Sequence, residues 1–126
     1  MIFYPTTRLI REAQHRATTL IEVMHDADLI AERYGWKKLL VTSMFRTLEE
    51  NRAAKAKSIV HCCTPHRAVD FRIWGVGSEI VKDVTNALNA KWEYDFTRPS
   101  MPVAYSEPHG DGPHLHLQVH PNTRRR

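Results

Sequence analysis

His114 and His116 bracket a single leucine in the segment HGDGPHLHLQVH, residues 109–120. Turn-forming residues precede the pair and an apolar alternation follows, the pattern of a strand entered from a tight turn. Residues two apart in a strand share a face, so the two imidazoles point the same way. Asp70 raises a related question, because it lies inside the alternating stretch RAVDFRI, where aspartate is disfavoured. On a strand it shares a face with Ala68 and Arg72. His61 stands nine positions earlier, on the approach to that strand. Singly, each has a plain reading: Asp70 as the partner of an arginine on a solvated face, His61 as a surface histidine. Together, a loop histidine, a strand aspartate and a strand histidine supply two nitrogens and one oxygen. A catalytic zinc takes three such ligands and keeps a fourth position open for water. The reaction also needs a proton acceptor nearby, for which Asp111 and His114 are available.

Three segments carry these residues in order: TSMFRT (Thr42 to Thr47), SIVHCCTPHRAVDFR (Ser58 to Arg72) and DGPHLHLQV (Asp111 to Val119). As a set they resemble the signatures of a family of zinc peptidases that cut the peptide of peptidoglycan. That family includes D-Ala-D-Ala carboxypeptidases and dipeptidases and the L-alanyl-D-glutamate endopeptidases (endolysins) of phage lysis. Its pattern runs from Ser-x-x-Arg after a strand, through a histidine and a short loop to Ala-x-Asp on a strand, to an acid three residues before a histidine. The resemblance spans roughly Leu40 to Val119. It implies His61, Asp70 and His114 as zinc ligands and Asp111 as general base. Arg46 becomes the guanidinium facing the oxyanion, Ser43 a support for the same loop, and His116 an outer support or a group for the substrate carboxylate. A permanently charged guanidinium suits charge developing on a carbonyl oxygen.

Two alternatives stay open within this reading. The gap from His61 to Asp70 is longer than the family's, Cys63 stands at the family's spacing, and His66 replaces its usual glycine. Cys63 or His66 could therefore take the place of His61. The His-x-His pair also fits a related register in which His116 is the ligand and His114 the base. The spacing of Asp111 favours His114 as the ligand.

The rest of the chain must position these groups. Helical periodicity predicts a helix from about Thr6 to Tyr34, ended by Gly35. A strand follows over 37–43, then a short polar helix over 46–58. Further expectations are a strand over 68–74, a helix over 78–92, and a hairpin formed by PVAYS and HLHLQVH. The expected class is α+β, a small mainly antiparallel sheet with helices packed on it and the zinc site on the sheet face. A length of 126 residues and 42% hydrophobic content suit a single zinc peptidase-like domain over residues 1–126. Residues 121–126, with the basic Arg124–Arg126, read as a disordered tail.

Adjacent Cys62 and Cys63 imply no disulfide framework. No stretch approaches the ~18 apolar residues of a membrane span, and the opening residues lack the layout of a secretory signal. The expectation is a monomer of phage or prophage origin, made in a cytoplasm and acting at the cell wall. Its expected partner is the peptidoglycan peptide stem, without nucleic acid or membrane insertion. A net charge of +4 suits an anionic envelope.

Two readings from other classes compete. A His-apolar-His strand is also the metal motif of nucleases that nick single-stranded DNA through a tyrosine, but that leaves SMFRT and HRAVDFR without a task. A non-catalytic structural zinc domain could draw on His61, Cys62 and Cys63, but would leave Arg46 and Asp111 idle.

Overall fold

Alternating apolar segments assemble into one five-stranded sheet in the computed structural model, which describes residues 1–56, 58–107 and 112–126. Its strands are β1 (Ile2–Phe3), β2 (Leu39–Ser43), β3 (Ala68–Arg72), β5 (Ala104–Glu107) and β6 (His114–Gln118). They lie in the order β1-β2-β3-β6-β5, antiparallel throughout except for the parallel edge pair β1 and β2. The expected β5–β6 hairpin is present. The fold is α+β with a mainly antiparallel sheet and helices packed against it, as the sequence indicated.

Period-two alternation divides the sheet into two unlike faces. Val41, Val69, Phe71, Leu115 and Leu117 form one face and are fully buried. Against them pack α2 (Thr18–Arg33), through Leu20, Val23, Met24, Ala27 and Ile30, and α4 (Ser78–Lys91), through Val81, Val84 and Leu88. The helical spacing of these residues makes each helix apolar on one side only. Each buried leucine, valine or phenylalanine contributes about 1.5–3 kcal/mol.

The opposite face carries Ser43, Asp70, His114, His116 and Gln118. Across it lie α3 (Leu48–Ala53) and a 3-10 turn (Val60–Cys62), which contacts β3. Thr47 and Glu50 start α3 with a reciprocal capping box, which satisfies two orphan N–H groups. α3 is shorter than expected: Lys55 turns into the left-handed region at φ 55° and ends it. The helix α1 (Thr7–Ala13) clamps this layer. Arg8 forms two 2.8 Å contacts with Glu50 and one of 3.1 Å with the Phe45 carbonyl, while Glu12 accepts from Phe45 N–H at 3.1 Å.

The single helix expected from Thr6 to Tyr34 is two helices. Ala17 N–H donates to the His66 carbonyl and His66 N–H to the His15 carbonyl, both at 2.8 Å. These main-chain groups are engaged across the fold rather than along a helix, so the helix breaks between Ala13 and Thr18. The basic tail differs as well. Rather than trailing as disordered chain, β7 (Arg124–Arg125) pairs with β4 (Trp92–Glu93). The cause is a buried acid on α2. Asp26 accepts from the Trp92 indole at 2.8 Å and from Arg125 at 2.9 Å, with Lys91 at 3.3 Å, and the Arg125 guanidinium lies 4.4 Å from the Trp92 ring centre. Burial opposes ionisation of Asp26, but the Trp92 hydrogen bond and the Lys91 and Arg125 charges outweigh it and lower its pKa below 3.8.

A group with a lowered folded-state pKa adds stability above its ordinary value and loses it as pH falls. Asp26→Ala should therefore cost about 1–3 kcal/mol at neutral pH by orphaning the buried indole N–H, and less below pH 4. Deleting Arg124–Arg126 should also lower the urea midpoint. An unchanged midpoint in the deletion would mean that the tail's pairing contributes nothing.

Candidate metal centre

Strand register converts scattered sequence positions into one row. Asp70 on β3 lies directly opposite His116 on β6, and His116 opposite Tyr105 on β5. On its other side Asp70 is paired with Ser43 of β2, after an irregularity between Val41 and Ser43. The next row along the same face is Arg72, His114 and Glu107, and the row on the other side begins Ala68–Gln118. His61 approaches from above, on the 3-10 turn. That turn is tied to the β2–α3 connection by Arg46 N–H donating to the His61 carbonyl at 2.9 Å.

Asp70 is the centre of the row, 2% exposed, with His61 and His116 also buried. His116 Nδ1 stands 2.8 Å from Asp70 Oδ1, His61 Nε2 3.3 Å and His114 Nε2 3.7 Å from the same oxygen. The second oxygen, Oδ2, takes Arg46 at 3.3 Å. His61 Nδ1 lies 2.7 Å from the Met44 carbonyl and His114 Nδ1 3.1 Å from the Gly112 carbonyl. A carbonyl only accepts, so both rings carry a proton on Nδ1. In the neutral form their Nε2 lone pairs then point toward a carboxylate. Such an arrangement of acceptors needs a further proton on a ring or a cation among them. The ligand atoms of His61, Asp70 and His116 all lie within 4.8 Å of one another, and this buried group could hold a metal ion. The donor chemistry fits a divalent cation: two imidazoles, one carboxylate, and histidine nitrogens fixed from behind by main-chain carbonyls. Ligands about 2.0–2.2 Å from a tetrahedral zinc are about 3.3–3.6 Å apart. The His61–Asp70 pair already has that separation, whereas the His116–Asp70 contact is at hydrogen-bond length.

Burial works against the negative charge of Asp70, yet hydrogen bonds and charge from His116 and His61 prevail and hold its carboxyl well below the usual carboxylate range. Tyr105 stacks on the His116 ring with centroids 4.6 Å apart. Burial, followed by the charges of Glu107 and Asp70, pushes its phenol up to about 12, so it stays protonated.

The remaining sequence candidates have definite places. Arg46 spans Asp70 and Asn51, reaching Asn51 Oδ1 at 3.4 Å. Ser43 is the cross-strand neighbour of Asp70. His114, expected as the third ligand, lies outside the close group because it faces Arg72 across the strands, one pleat from the Asp70–His116 pair. Asp111 lies outside the described residues. Cys63 and His66 are away from the group. The Cys63 thiol is 3.5 Å from Arg67, and the His66 ring packs on Phe45, centroids 4.8 Å apart, with its Nδ1 at the Cys63 carbonyl. Both cysteines are free.

Three further residues shape the site and were not marked by sequence. Gln118 and Tyr105 could have been found by extending the strand alternation and the hairpin register. Asn51, buried under Arg46, carries no local signal. Among the described residues no helix is long and apolar enough to cross a membrane. Comparison with protein-family models, with curated proteins and with solved structures found no match to the chain.

Titration of the chelator-treated protein with zinc or cobalt should show one tight site per chain. His61→Ala and Asp70→Ala should abolish it, while Cys63→Ser and His66→Ala keep it. Loss of the site in Cys63→Ser would move the centre to the thiols.

Proposed function

We propose that the protein is a zinc metallopeptidase that hydrolyses a peptide bond in the peptidoglycan stem, with His61, Asp70 and His116 as the zinc ligands. The observation that carries this reading is the convergence of His61 and His116 on one oxygen of the buried Asp70, with Arg46 on the other. These are residues of the same three ordered segments that resemble the peptidoglycan peptidases.

Each residue has a task that its geometry allows. A bound zinc would supply Lewis acidity toward water and a substrate carbonyl. Arg46 uses part of its guanidinium on Asp70 and Asn51, and a guanidinium has five N–H donors. The remaining donors can meet charge on the carbonyl oxygen of the scissile bond. His114 is only partly enclosed, and its Nε2 is the free acceptor. It can take the proton of the attacking water and return it to the leaving amine, as a general base and then acid. Asp111, three residues before His114 in the sequence, is the other candidate for that proton. The His-x-His register thus gives the two histidines different work: His116, facing Asp70, holds the ion, and His114, one pleat on, moves the proton.

Mass spectrometry of muropeptides incubated with the zinc-loaded protein tests this directly. A stem peptide bond should be cut, the activity lost to chelator and restored by zinc. Arg46→Gln should lower the rate about 10²–10³-fold while zinc stays bound. His114→Gln should retain zinc and lose about 10²–10⁴-fold in rate if it is the base, and His116→Ala should lose the metal. If Asp111→Asn alone carries that rate loss, the base is Asp111. Intact muropeptides, together with a covalent tyrosine adduct on nicked single-stranded DNA, would replace the peptidase reading with the nuclease one.

A further inference from the structure

Gln118 continues the alternation His114, His116, Gln118 along β6 and is buried on the same face, 3% exposed. Its cross-strand partner is Ala68, whose small side chain leaves room for it. Each end of its amide has one partner. The –NH₂ end donates to the Pro102 carbonyl at 2.9 Å, and Oε1 lies 3.1 Å from His116 Nε2. The amide cannot be turned around, because that would set its oxygen against the Pro102 oxygen, two acceptors at hydrogen-bond distance. Oε1 therefore faces the histidine, and an amide oxygen only accepts. His116 must carry its proton on Nε2.

The consequence reaches Asp70. The same rule at Nδ1, 2.8 Å from Asp70 Oδ1, puts a proton between those two atoms, and that is the proton a metal ion would displace, because Gln118 holds the one on Nε2. His61 is fixed the opposite way, because the Met44 carbonyl takes its Nδ1 proton and frees Nε2. We propose that Gln118 is a positioning residue that selects the Nε2–H tautomer of His116, so that the metal-facing atoms are Nδ1 of His116 and Nε2 of His61. This assignment rests on the reading of His61, Asp70 and His116 as metal ligands. It adds what that reading lacks: the residue that orients the ligand histidine on β6. Partners of this kind are worth about 10–100-fold in metal affinity.

Two measurements test it, neither requiring peptidase activity. Long-range proton–nitrogen NMR of the metal-free protein, at a pH where the rings are neutral, should show His116 as the Nε2–H tautomer and His61 as Nδ1–H. Competition of zinc against a chromophoric chelator should give about 10–100-fold weaker binding in Gln118→Leu. That variant fills the same space without an acceptor, and its urea midpoint checks that it folds. The same NMR measurement on Gln118→Leu should show His116 losing its preference for Nε2–H, a change that a purely packing role would not give. A His116 Nδ1–H tautomer in a protein that binds zinc would overturn the assignment of Gln118 alone, as would wild-type affinity in a folded Gln118→Leu. If the wild-type protein bound no zinc at all, the metal reading would fall and this assignment with it.

Discussion

The charge on Asp70 is the constraint around which this face of the protein is built. A buried carboxylate is costly unless it is paired and hydrogen-bonded. Here three neighbouring segments contribute toward it: Arg46 from the β2–α3 connection, His61 from the 3-10 turn, His114 and His116 from β6. Two of those imidazoles are fixed from behind by carbonyls so that their free nitrogens face the carboxylate. Imidazole nitrogens facing an enclosed carboxylate call for a further proton or a cation between them, and the two imidazoles and one carboxylate are a donor set that suits a cation.

The rest of the fold keeps that constellation in register. Direct pairing of Asp70 with His116 comes from β3 and β6, whose other face is locked by Val69, Phe71, Leu115 and Leu117 in the core. A slip of one residue would turn those apolar side chains outward and the site inward, so core packing also sets the geometry of the centre. The layer above is anchored by buried Leu9, Met44 and Val60 and by polar ties. Arg8 and Glu12 of α1 hold the Phe45 main chain, Asn51 donates to the Ser58 carbonyl, and Arg46 N–H holds the His61 carbonyl. His66 ties the α1–α2 connection through its main chain, and its ring packs on Phe45 rather than joining the site.

Much of this was legible in the sequence. Period-two alternation marks β3 and β6, and the i, i+3, i+4 pattern marks α2 and α4, because each element buries one face. Asp70 stood out as an acid where strands avoid one, and His114 and His116 as residues sharing a face. What could not be read was pairing register. Sequence spacing alone favoured His114 beside Asp70, whereas the strands set His116 opposite it and His114 opposite Arg72. The break in the first helix and the docking of Arg124–Arg126 depend on His66 and Asp26, distant in sequence, so local patterns carry no trace of them. Asn51 and Gln118 look like ordinary polar residues until their amides are seen pinned to carbonyls.

A crystal of the zinc-soaked protein, measured on both sides of the zinc absorption edge, tests the central claim most directly. The expected result is a single anomalous peak about 2.0–2.2 Å from His61 Nε2, His116 Nδ1 and an oxygen of Asp70. An anomalous peak at Cys62–Cys63, or none at all with both histidines hydrogen-bonded to Asp70 as protonated rings, would contradict it.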